Sequence, residues 1–124
     1  MSKVIPGPHP DPHPPNVFIP PPKACDAHCH IFGPATQFPF AEHRAYTPPD
    51  SGIDRFEELQ ERLGLSRAVF VQASCHGTDN SALLHAVRRG NGKYSGVAMI
   101  DDNTTDLELR ELHEAGVRGI RFNF

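Results

Sequence analysis

The sequence predicts an α/β fold built from parallel βα units. Four short stretches rich in β-forming residues alternate with three stretches of helical periodicity, and most connectors between them are short. Polar residues follow the predicted strands at one end, which is where enzymes with parallel sheets keep their sites. These polar residues are His28, His30, Ser74, Asp101, Arg121 and Asn123.

The first predicted strand, over residues 24–32, holds two histidines separated by a single residue. Because side chains alternate along a strand, His28 and His30 share one face. That face also carries Asp26 and Phe32, and the opposite face carries Cys25, Ala27, Cys29 and Ile31. Such an imidazole pair suits a catalytic site, as metal ligands or as hydrogen-bond donors to a developing oxyanion. The alternative is a pair of ordinary strand histidines bonded to the backbone.

The remaining strands are predicted from runs of β-forming residues. They cover residues 67–74, 96–101 and 117–124. The second strand is nearly continuous in apolar character, as a strand covered on both faces is, and it ends on Ser74. In the last strand, Arg121 lies among apolar neighbours near the strand end. Both side chains are therefore expected at the C-terminal edge of the sheet.

Three amphipathic helices are predicted between the strands, the first over residues 53–63. Their N-caps are predicted at Asp50 or Ser51, at Thr78, and at Thr105 with Glu108 as its capping-box partner. Their ends are predicted at Gly64, Gly90 and Gly116. The second helix is expected to turn Ala82, Leu83, Ala86 and Val87 inward, and the third Leu109 and Leu112.

Two segments lie outside these elements. Residues 1–22 hold nine of the 13 prolines, which predicts a flexible extended arm, so that residues 23–124 form the folded part. His9 and His13 in this arm are expected to be solvated. The long loop over residues 33–52 is rich in aromatic residues and predicts an ordered flap. In it, Tyr46 is a candidate substrate contact, or else a tyrosine that packs within the loop.

Composition excludes several classes of partner. The net charge is −3, from 12 basic and 15 acidic residues, so the sequence offers no basic field for nucleic acid and no polybasic membrane patch. We expect a soluble cytoplasmic protein, because the first residues lack a secretory signal and three cysteines are too few for a disulfide framework. A zinc site is a weaker possibility, from Cys25, Cys29, Cys75 and His76.

Several stretches resemble one branch of a known superfamily. They are Asp26-Ala-His-Cys-His-Ile-Phe-Gly-Pro, Phe38-Pro-Phe, Tyr46-Thr-Pro-Pro-Asp, Val71-Gln-Ala-Ser-Cys-His-Gly-Thr-Asp-Asn and Gly116-Val-Arg-Gly-Ile-Arg-Phe-Asn-Phe. From about Pro20 onward the chain is similar to the 2-pyrone-4,6-dicarboxylate lactonase-like branch of the amidohydrolase superfamily. The histidine pair indicates only the superfamily, whereas the stretch that begins at Val71 is more specific.

The resemblance implies the N-terminal half, about four βα units, of a (β/α)8 TIM barrel that hydrolyses a carboxylated lactone in aromatic-compound degradation. By the same resemblance, His28 and His30 polarise the lactone carbonyl, and Tyr46, Ser74 and Arg121 hold the carboxylates of the substrate. The general base of the family is an aspartate of the eighth strand, beyond this chain. We therefore expect an N-terminal fragment that is inactive alone, and its oligomeric state is not predicted.

The resemblance also implies that no metal is needed, because this branch resembles enzymes that work without one. The alternative is one divalent ion, zinc or manganese, on His28 and His30, as in a metal-dependent amidohydrolase or decarboxylase of the same superfamily. A non-catalytic half-barrel that binds a carboxylate ligand is a further alternative. The partner expected in the leading interpretation is a small dicarboxylate lactone.

Overall fold

The computed structural model describes residues 2–123, and within them the chain forms two parallel sheets. The larger sheet has four strands in the order β2, β4, β5, β6, and the smaller pairs β1 with β3. The strands are β1 (Lys3–Val4), β2 (Cys25–Cys29), β3 (Tyr46–Thr47), β4 (Arg67–Val71), β5 (Tyr94–Met99) and β6 (Val117–Arg121). The helices are α1 (Ile53–Leu63), α2 (Ser81–Arg89) and α3 (Asp106–Glu114). The predicted α/β class of parallel units is confirmed.

Three of the four predicted strands are shorter than the β-forming runs, and β5 has the predicted length but lies two residues earlier, at Tyr94–Met99. The strand predicted to reach Ser74 ends at Val71, because Ser74–His76 turn into a short 3-10 helix. The backbone nitrogen of Gln72 still donates to the Val97 carbonyl at 2.8 Å, so the chain stays beside β5 for one residue more. The last strand ends at Arg121 rather than at residue 124, which lies outside the described residues.

Strand β2 departs from strict alternation. Asp26 pairs with Ala68 and Cys29 with Phe70, so three steps of β2 match two of β4. Cys29 nevertheless packs against the hydrophobic core, and it also lines a cavity of about 400 Å³ together with His30. Burial raises the pKa of the Cys29 thiol to about 12, with a smaller contribution from the Asp26 carboxylate. Cys29 thus keeps the core contact predicted for its face, despite the irregular register.

The core lies between the four-stranded sheet and the helices α1 and α2. Phe56 of α1, Phe70 of β4 and Tyr94 of β5 meet edge to face, with ring centroids 4.8 Å apart for the first pair and 5.2 Å for the second. The Tyr94 hydroxyl donates to Gln60 Oε1 at 2.6 Å, which satisfies a buried polar pair. All four residues of the predicted apolar face of α2 are buried: Ala82, Leu83, Ala86 and Val87.

Helix α3 confirms its predicted start, and one of its two predicted inward residues is buried. Thr105 Oγ1 accepts from the Glu108 backbone at 3.3 Å while the Glu108 carboxylate accepts from the Thr105 backbone at 2.7 Å, which is the capping box. These bonds from Thr105 lower the pKa of Glu108. Leu112 is buried as predicted, but Leu109 is 38% exposed. The reason is position, because α3 packs on the edge strand β6 and no described residue covers its outer side.

The predicted N-caps of the other two helices were wrong, whereas their predicted ends at Gly64 and Gly90 are the observed C-caps. The N-caps of α1 and α2 are Gly52 and Asn80, and neither makes a side-chain capping bond. Asp50 instead accepts from the Ala35 backbone at 2.9 Å, and Ser51 exchanges backbone bonds with Phe32. Both residues therefore close the long loop onto the end of β2 rather than start a helix.

The proline-rich arm makes defined contacts with the folded part. Lys3–Val4 form β1 beside β3, and Arg55 of α1 donates to the His9 carbonyl at 2.8 Å. Arg62 of the same helix bonds the exposed Asp11 carboxylate at 2.7 Å. The division of the chain at residue 22 stays a prediction. Among the described residues, no helix is long and apolar enough to cross a membrane.

Candidate active site

Candidate residues at the ends of the two edge strands, β2 and β6, bond to the backbone at the C-terminal end of β4. His30, just after β2, places Nδ1 2.8 Å from the Val71 carbonyl oxygen. Arg121, at the end of β6, donates from its guanidinium to the next carbonyl, that of Gln72, at 3.0 Å. Two successive backbone carbonyls therefore fix a histidine and an arginine that are 91 residues apart in sequence. Backbone acceptors carry no sequence signal, so sequence reasoning did not find them.

The two histidines lie side by side. Their ring centroids are 5.2 Å apart and the rings are nearly perpendicular, while the Phe32 ring lies 5.9 Å beyond His30. His28 is exposed, and its backbone nitrogen donates to Asp26 Oδ1 at 3.1 Å. This bond fixes the backbone between Asp26 and His28. The predicted convergence of His28 and His30 is thus present.

The contact with Val71 sets the chemistry of His30. A backbone carbonyl only accepts, so Nδ1 carries the hydrogen. In the neutral ring, Nε2 is then an acceptor with a free lone pair, which suits a metal ligand or a base. Only the doubly protonated ring donates from Nε2 as well. Any role of His30 as a donor to substrate therefore requires its cationic form.

Tyr46 and Ser74 meet on the same side of the site. The Tyr46 hydroxyl lies near the Ser74 side chain and the thiol of Cys75. Burial raises the pKa of Tyr46, and the contact with Ser74 offsets part of this rise. Burial also raises the pKa of Cys75, so the hydroxyl and thiol groups here are neutral at neutral pH. This corner can donate hydrogen bonds to a carboxylate without presenting a negative charge.

The stretch of residues 72–80, the most specific part of the resemblance, serves mainly to bind backbone. Gln72 is 2% exposed and donates to the carbonyls of Gly77 and Asp79 at 2.9 and 2.8 Å. Asn80 accepts from the Met99 nitrogen at 3.0 Å and donates to the Met99 carbonyl at 2.9 Å. These amides fold the turn that follows β4 and tie it to β5. The position of Ser74 depends on them.

His76 holds the long loop and is not a zinc ligand. Gly33 donates to His76 Nε2 at 3.1 Å, so Nδ1 carries the hydrogen and donates to the Pro39 carbonyl at 3.2 Å. Burial lowers the pKa of His76, which keeps the ring neutral. With both nitrogens used, and with Cys75 buried while Cys25 is exposed, the zinc site considered from the sequence is wrong. No group of three or more metal-binding side chains occurs among residues 2–123.

Gly33 begins the loop in the left-handed region, with φ of 67°. A side chain there would meet the Asp50 carboxylate, so glycine is required on both counts. Its amide is thereby aimed at His76.

Two further polar residues have local roles. Asp101 Oδ1 accepts from the Asn103 backbone at 2.9 Å, which forms a turn before α3 rather than a part of the site. Arg44, which sequence reasoning passed over, donates to Thr47 Oγ1 at 2.8 Å and to the Ala41 carbonyl at 2.7 Å. Its guanidinium also lies 5.8 Å above the Phe40 ring. Arg44 thus braces the segment that carries Tyr46.

Known proteins share this sequence and fold. The amidohydrolase family model matches residues 25–124. A 2-pyrone-4,6-dicarboxylate hydrolase of Comamonas testosteroni is 52% identical over 101 residues, which cover 82% of this chain and 33% of that protein. A 4-sulfomuconolactone hydrolase of Rhizobium radiobacter is 46% identical over 107 residues, which cover 86% of this chain and 36% of that protein.

A crystal structure from Acinetobacter baumannii, described as a probable 2-pyrone-4,6-dicarboxylic acid hydrolase with citric acid bound, superposes with a TM-score of 0.72. It is 29% identical to this chain and covers 79% of it, against 36% of its own length. The chain therefore spans about one third of the length of the relatives that it matches. The four parallel strands and three helices described are consistent with part of an eightfold barrel. The chain belongs to the amidohydrolase family, within its 2-pyrone-4,6-dicarboxylate lactonase-like branch.

Proposed function

We propose that this chain is part of a cytoplasmic hydrolase that opens a lactone ring bearing carboxylates, such as 2-pyrone-4,6-dicarboxylate. One observation carries the proposal: His30, Ser74 and Arg121 converge on the end of β4, with Tyr46 against Ser74. The names of two relatives both describe hydrolases of lactones with anionic groups. Because the chain spans about one third of those relatives, the activity of the whole protein is part of the proposal.

Arg121, Ser74 and Tyr46 are proposed to bind the carboxylates. The guanidinium of Arg121 has five N–H groups, and the structure assigns one bond, from a terminal nitrogen to the Gln72 carbonyl. This bond orients the plane of the guanidinium, and further N–H groups can bind a carboxylate in two-point fashion. The hydroxyls of Ser74 and Tyr46 add neutral donors. A substrate with two carboxylates uses both kinds of donor, which a neutral lactone does not.

His28 and His30 are proposed to act on the lactone carbonyl. Attack on an ester carbonyl places negative charge on its oxygen, and donors aimed at that oxygen lower the barrier. Since Nδ1 of His30 is used on Val71, His30 donates from Nε2 only as an imidazolium, which makes a stronger, charge-assisted bond. The exposed ring of His28 approaches the same point from one side. The general base is expected from residues outside this chain.

Metal independence is also a proposal. His28 and His30 supply two imidazoles, and no third histidine, cysteine or acidic side chain among residues 2–123 completes a group that holds an ion. The described residues thus do not form a metal site by themselves. The alternative, zinc or manganese on these two histidines, requires ligands from elsewhere in the protein. Removal of metal by a chelator, with the rate measured before and after, decides between the two.

The cytoplasmic location rests on the cysteines. All three are free in the structure, and Cys75 is buried where it needs no partner. Reduced thiols are the usual state in the cytoplasm.

The test is hydrolysis of 2-pyrone-4,6-dicarboxylate by the purified gene product, followed by loss of the pyrone absorbance. Unsubstituted 2-pyrone serves as the matched control, because it has the ring and lacks the carboxylates. We expect hydrolysis of the dicarboxylate and a kcat/KM for the control that is lower by at least about a hundredfold, the loss of one or two charge-assisted bonds. Equal rates on both compounds, or turnover of neither, contradict the proposal. The 124-residue chain expressed alone is expected to be inactive.

A further inference from the structure

The N-terminal arm pairs with the segment that carries Tyr46. Lys3 donates from its backbone nitrogen to the Ala45 carbonyl, and Ile5 donates to the Thr47 carbonyl, each at 3.2 Å. These bonds flank Tyr46 on either side. The register places Lys3 opposite Tyr46 and Val4 opposite Thr47, in parallel.

The pairing continues through side chains. The hydroxyl oxygens of Ser2 and Thr47 lie 2.6 Å apart, and Thr47 Oγ1 also accepts from Arg44 Nε. The arm is tied in turn to the body of the protein, because Arg55 and Arg62 of α1 bond its residues 9–12. Residues 2–12 thus run as a strap from the segment around Tyr46 to helix α1.

The segment needs such a tie. It lies in a loop of about 20 residues, and fixing the backbone of a loop residue costs conformational entropy. The Tyr46 ring contacts Phe32 with centroids 6.5 Å apart, and its hydroxyl interacts with Ser74. A shift of about 1 Å in the backbone of Tyr46 moves that hydroxyl away from its partner.

The strap lies before the region that the family model matches. The family model begins at residue 25, and the arm precedes it. The family resemblance therefore accounts for Tyr46 but not for the strand that holds it.

We propose that β1 is a positioning element: it holds residues 45–47 so that the Tyr46 hydroxyl stays beside Ser74, and it thereby strengthens binding of a substrate carboxylate. This inference rests on the proposed function for its effect on substrate. Its structural part, the immobilisation of the Tyr46 segment by β1, does not depend on that function.

The test removes the two backbone donors of β1 in the full gene product. Lys3→Pro combined with Ile5→Pro deletes both N–H groups while the backbone stays extended. Lys3→Ala combined with Ile5→Ala is the matched control, because it removes the same side chains and keeps the donors. Amide hydrogen exchange of the peptide around residues 44–48 reports on the segment, and KM and kcat for 2-pyrone-4,6-dicarboxylate report on binding.

We expect the proline pair to exchange faster in this peptide and to raise KM about tenfold with kcat changed less than about twofold, whereas the alanine pair resembles the parent. In a Tyr46→Phe background the proline pair is expected to raise KM by less than about twofold, since the hydroxyl it positions is gone. A general loss of folding lowers kcat equally in both backgrounds and overturns the proposal. So does unchanged exchange, or faster exchange with an unchanged KM. A gene product that leaves the lactone intact overturns the proposed function, and the exchange result then decides the structural part alone.

Discussion

The unit at the centre of the sheet and the unit at its edge differ in how fully they are packed. The central unit, residues 67–89, comprises β4, the Ser74–His76 turn and α2, and its helix buries all four of its predicted inward residues. The edge unit, residues 106–121, comprises α3 and β6. Its helix buries Leu112 but leaves Leu107 64% exposed, and Ile120 of β6 is 50% exposed. Strand β4 pairs with a strand on each side, so its unit is well covered. Strand β6 is at the edge of the described sheet, so side chains of its unit stay exposed.

The same difference governs the candidate site. The central unit supplies Ser74 and the two carbonyls that orient His30 and Arg121. The edge unit supplies Arg121 alone, and that side chain reaches back across β5 for its bond to Gln72. The site is therefore built on the best-packed part of the described chain. The edge unit contributes one charge, held by the central unit.

The largest expected effect is on the free energy of unfolding, when one leucine is replaced by alanine in each unit. Leu83→Ala in α2 empties a position that is 3% exposed and is expected to lower the free energy of unfolding by about 2 to 5 kcal/mol. Leu109→Ala in α3, at 38% exposure, is expected to cost less than about 1 kcal/mol. Urea unfolding of the gene product measures both. Equal decreases in the free energy of unfolding would contradict the difference in packing between the two units. They would mean that residues outside the described chain cover α3.

The next effect is on catalysis, at the histidine held by the central unit. His30→Ala is expected to lower kcat about 10² to 10³-fold with little change in KM, because the proposed bond strengthens only in the transition state. His113→Ala is the control, since His113 is exposed on α3. Loss of the parent's activity to a chelator, with recovery on return of zinc or manganese, would instead make His30 a metal ligand.

A smaller effect separates the contributions of the two units to substrate binding. Arg121→Met in the edge unit removes a charge-assisted bond worth about 1.5 to 3 kcal/mol, and Ser74→Ala removes a neutral one worth about 0.5 to 1.5 kcal/mol. We expect both to raise KM, and the arginine change to raise it more. Steady-state kinetics on 2-pyrone-4,6-dicarboxylate measure the two variants. Small and equal effects would indicate that both residues serve structure rather than substrate.

The sequence predicted the parallel βα order, the buried face of α2 and the capping box of α3, because each depends on residues near one another in the chain. It also predicted that His28, His30, Ser74 and Arg121 lie at one end of the sheet. What it missed depends on partners far away in sequence. Leu109 has the right period to face a core, and only the edge position of β6 leaves it exposed.

Backbone acceptors and shifts in register were the other source of error. The Val71 carbonyl that sets the tautomer of His30 has no side-chain signature, and neither has the irregularity in the pairing of β2 with β4. Asp50 has the chemistry of a helix cap, yet the close approach of Gly33 and Ala35 gives its carboxylate a different donor. Local propensity and tertiary contacts compete at such positions, and the contacts prevail.

The smallest expected effect is a dependence of stability on pH between about pH 7.5 and about pH 5.5, which we assign to His76 of the central unit. Burial lowers the pKa of His76 in the folded chain, while the unfolded chain takes up the proton near the ordinary value of about 6.5. Between these two values the unfolded state binds more protons, so the free energy of unfolding falls as pH falls. The contribution is fully present above about pH 6.5 and is lost toward the lower, folded pKa. Protonation also removes the lone pair that accepts from Gly33.

Urea unfolding at about pH 7.5 and about pH 5.5 measures this dependence in the parent and in two matched variants. His76→Gln removes the titrating ring that joins the Ser74–His76 turn to the long loop, so we expect the variant to be less stable than the parent. We also expect its free energy of unfolding to decrease less between the two pH values than that of the parent. His113→Gln removes an exposed histidine of the edge unit and is expected to leave the fall unchanged. An equal decrease in the free energy of unfolding in the parent and in His76→Gln would contradict the assignment to His76. A smaller decrease in His113→Gln than in the parent would assign the pH dependence to the edge unit.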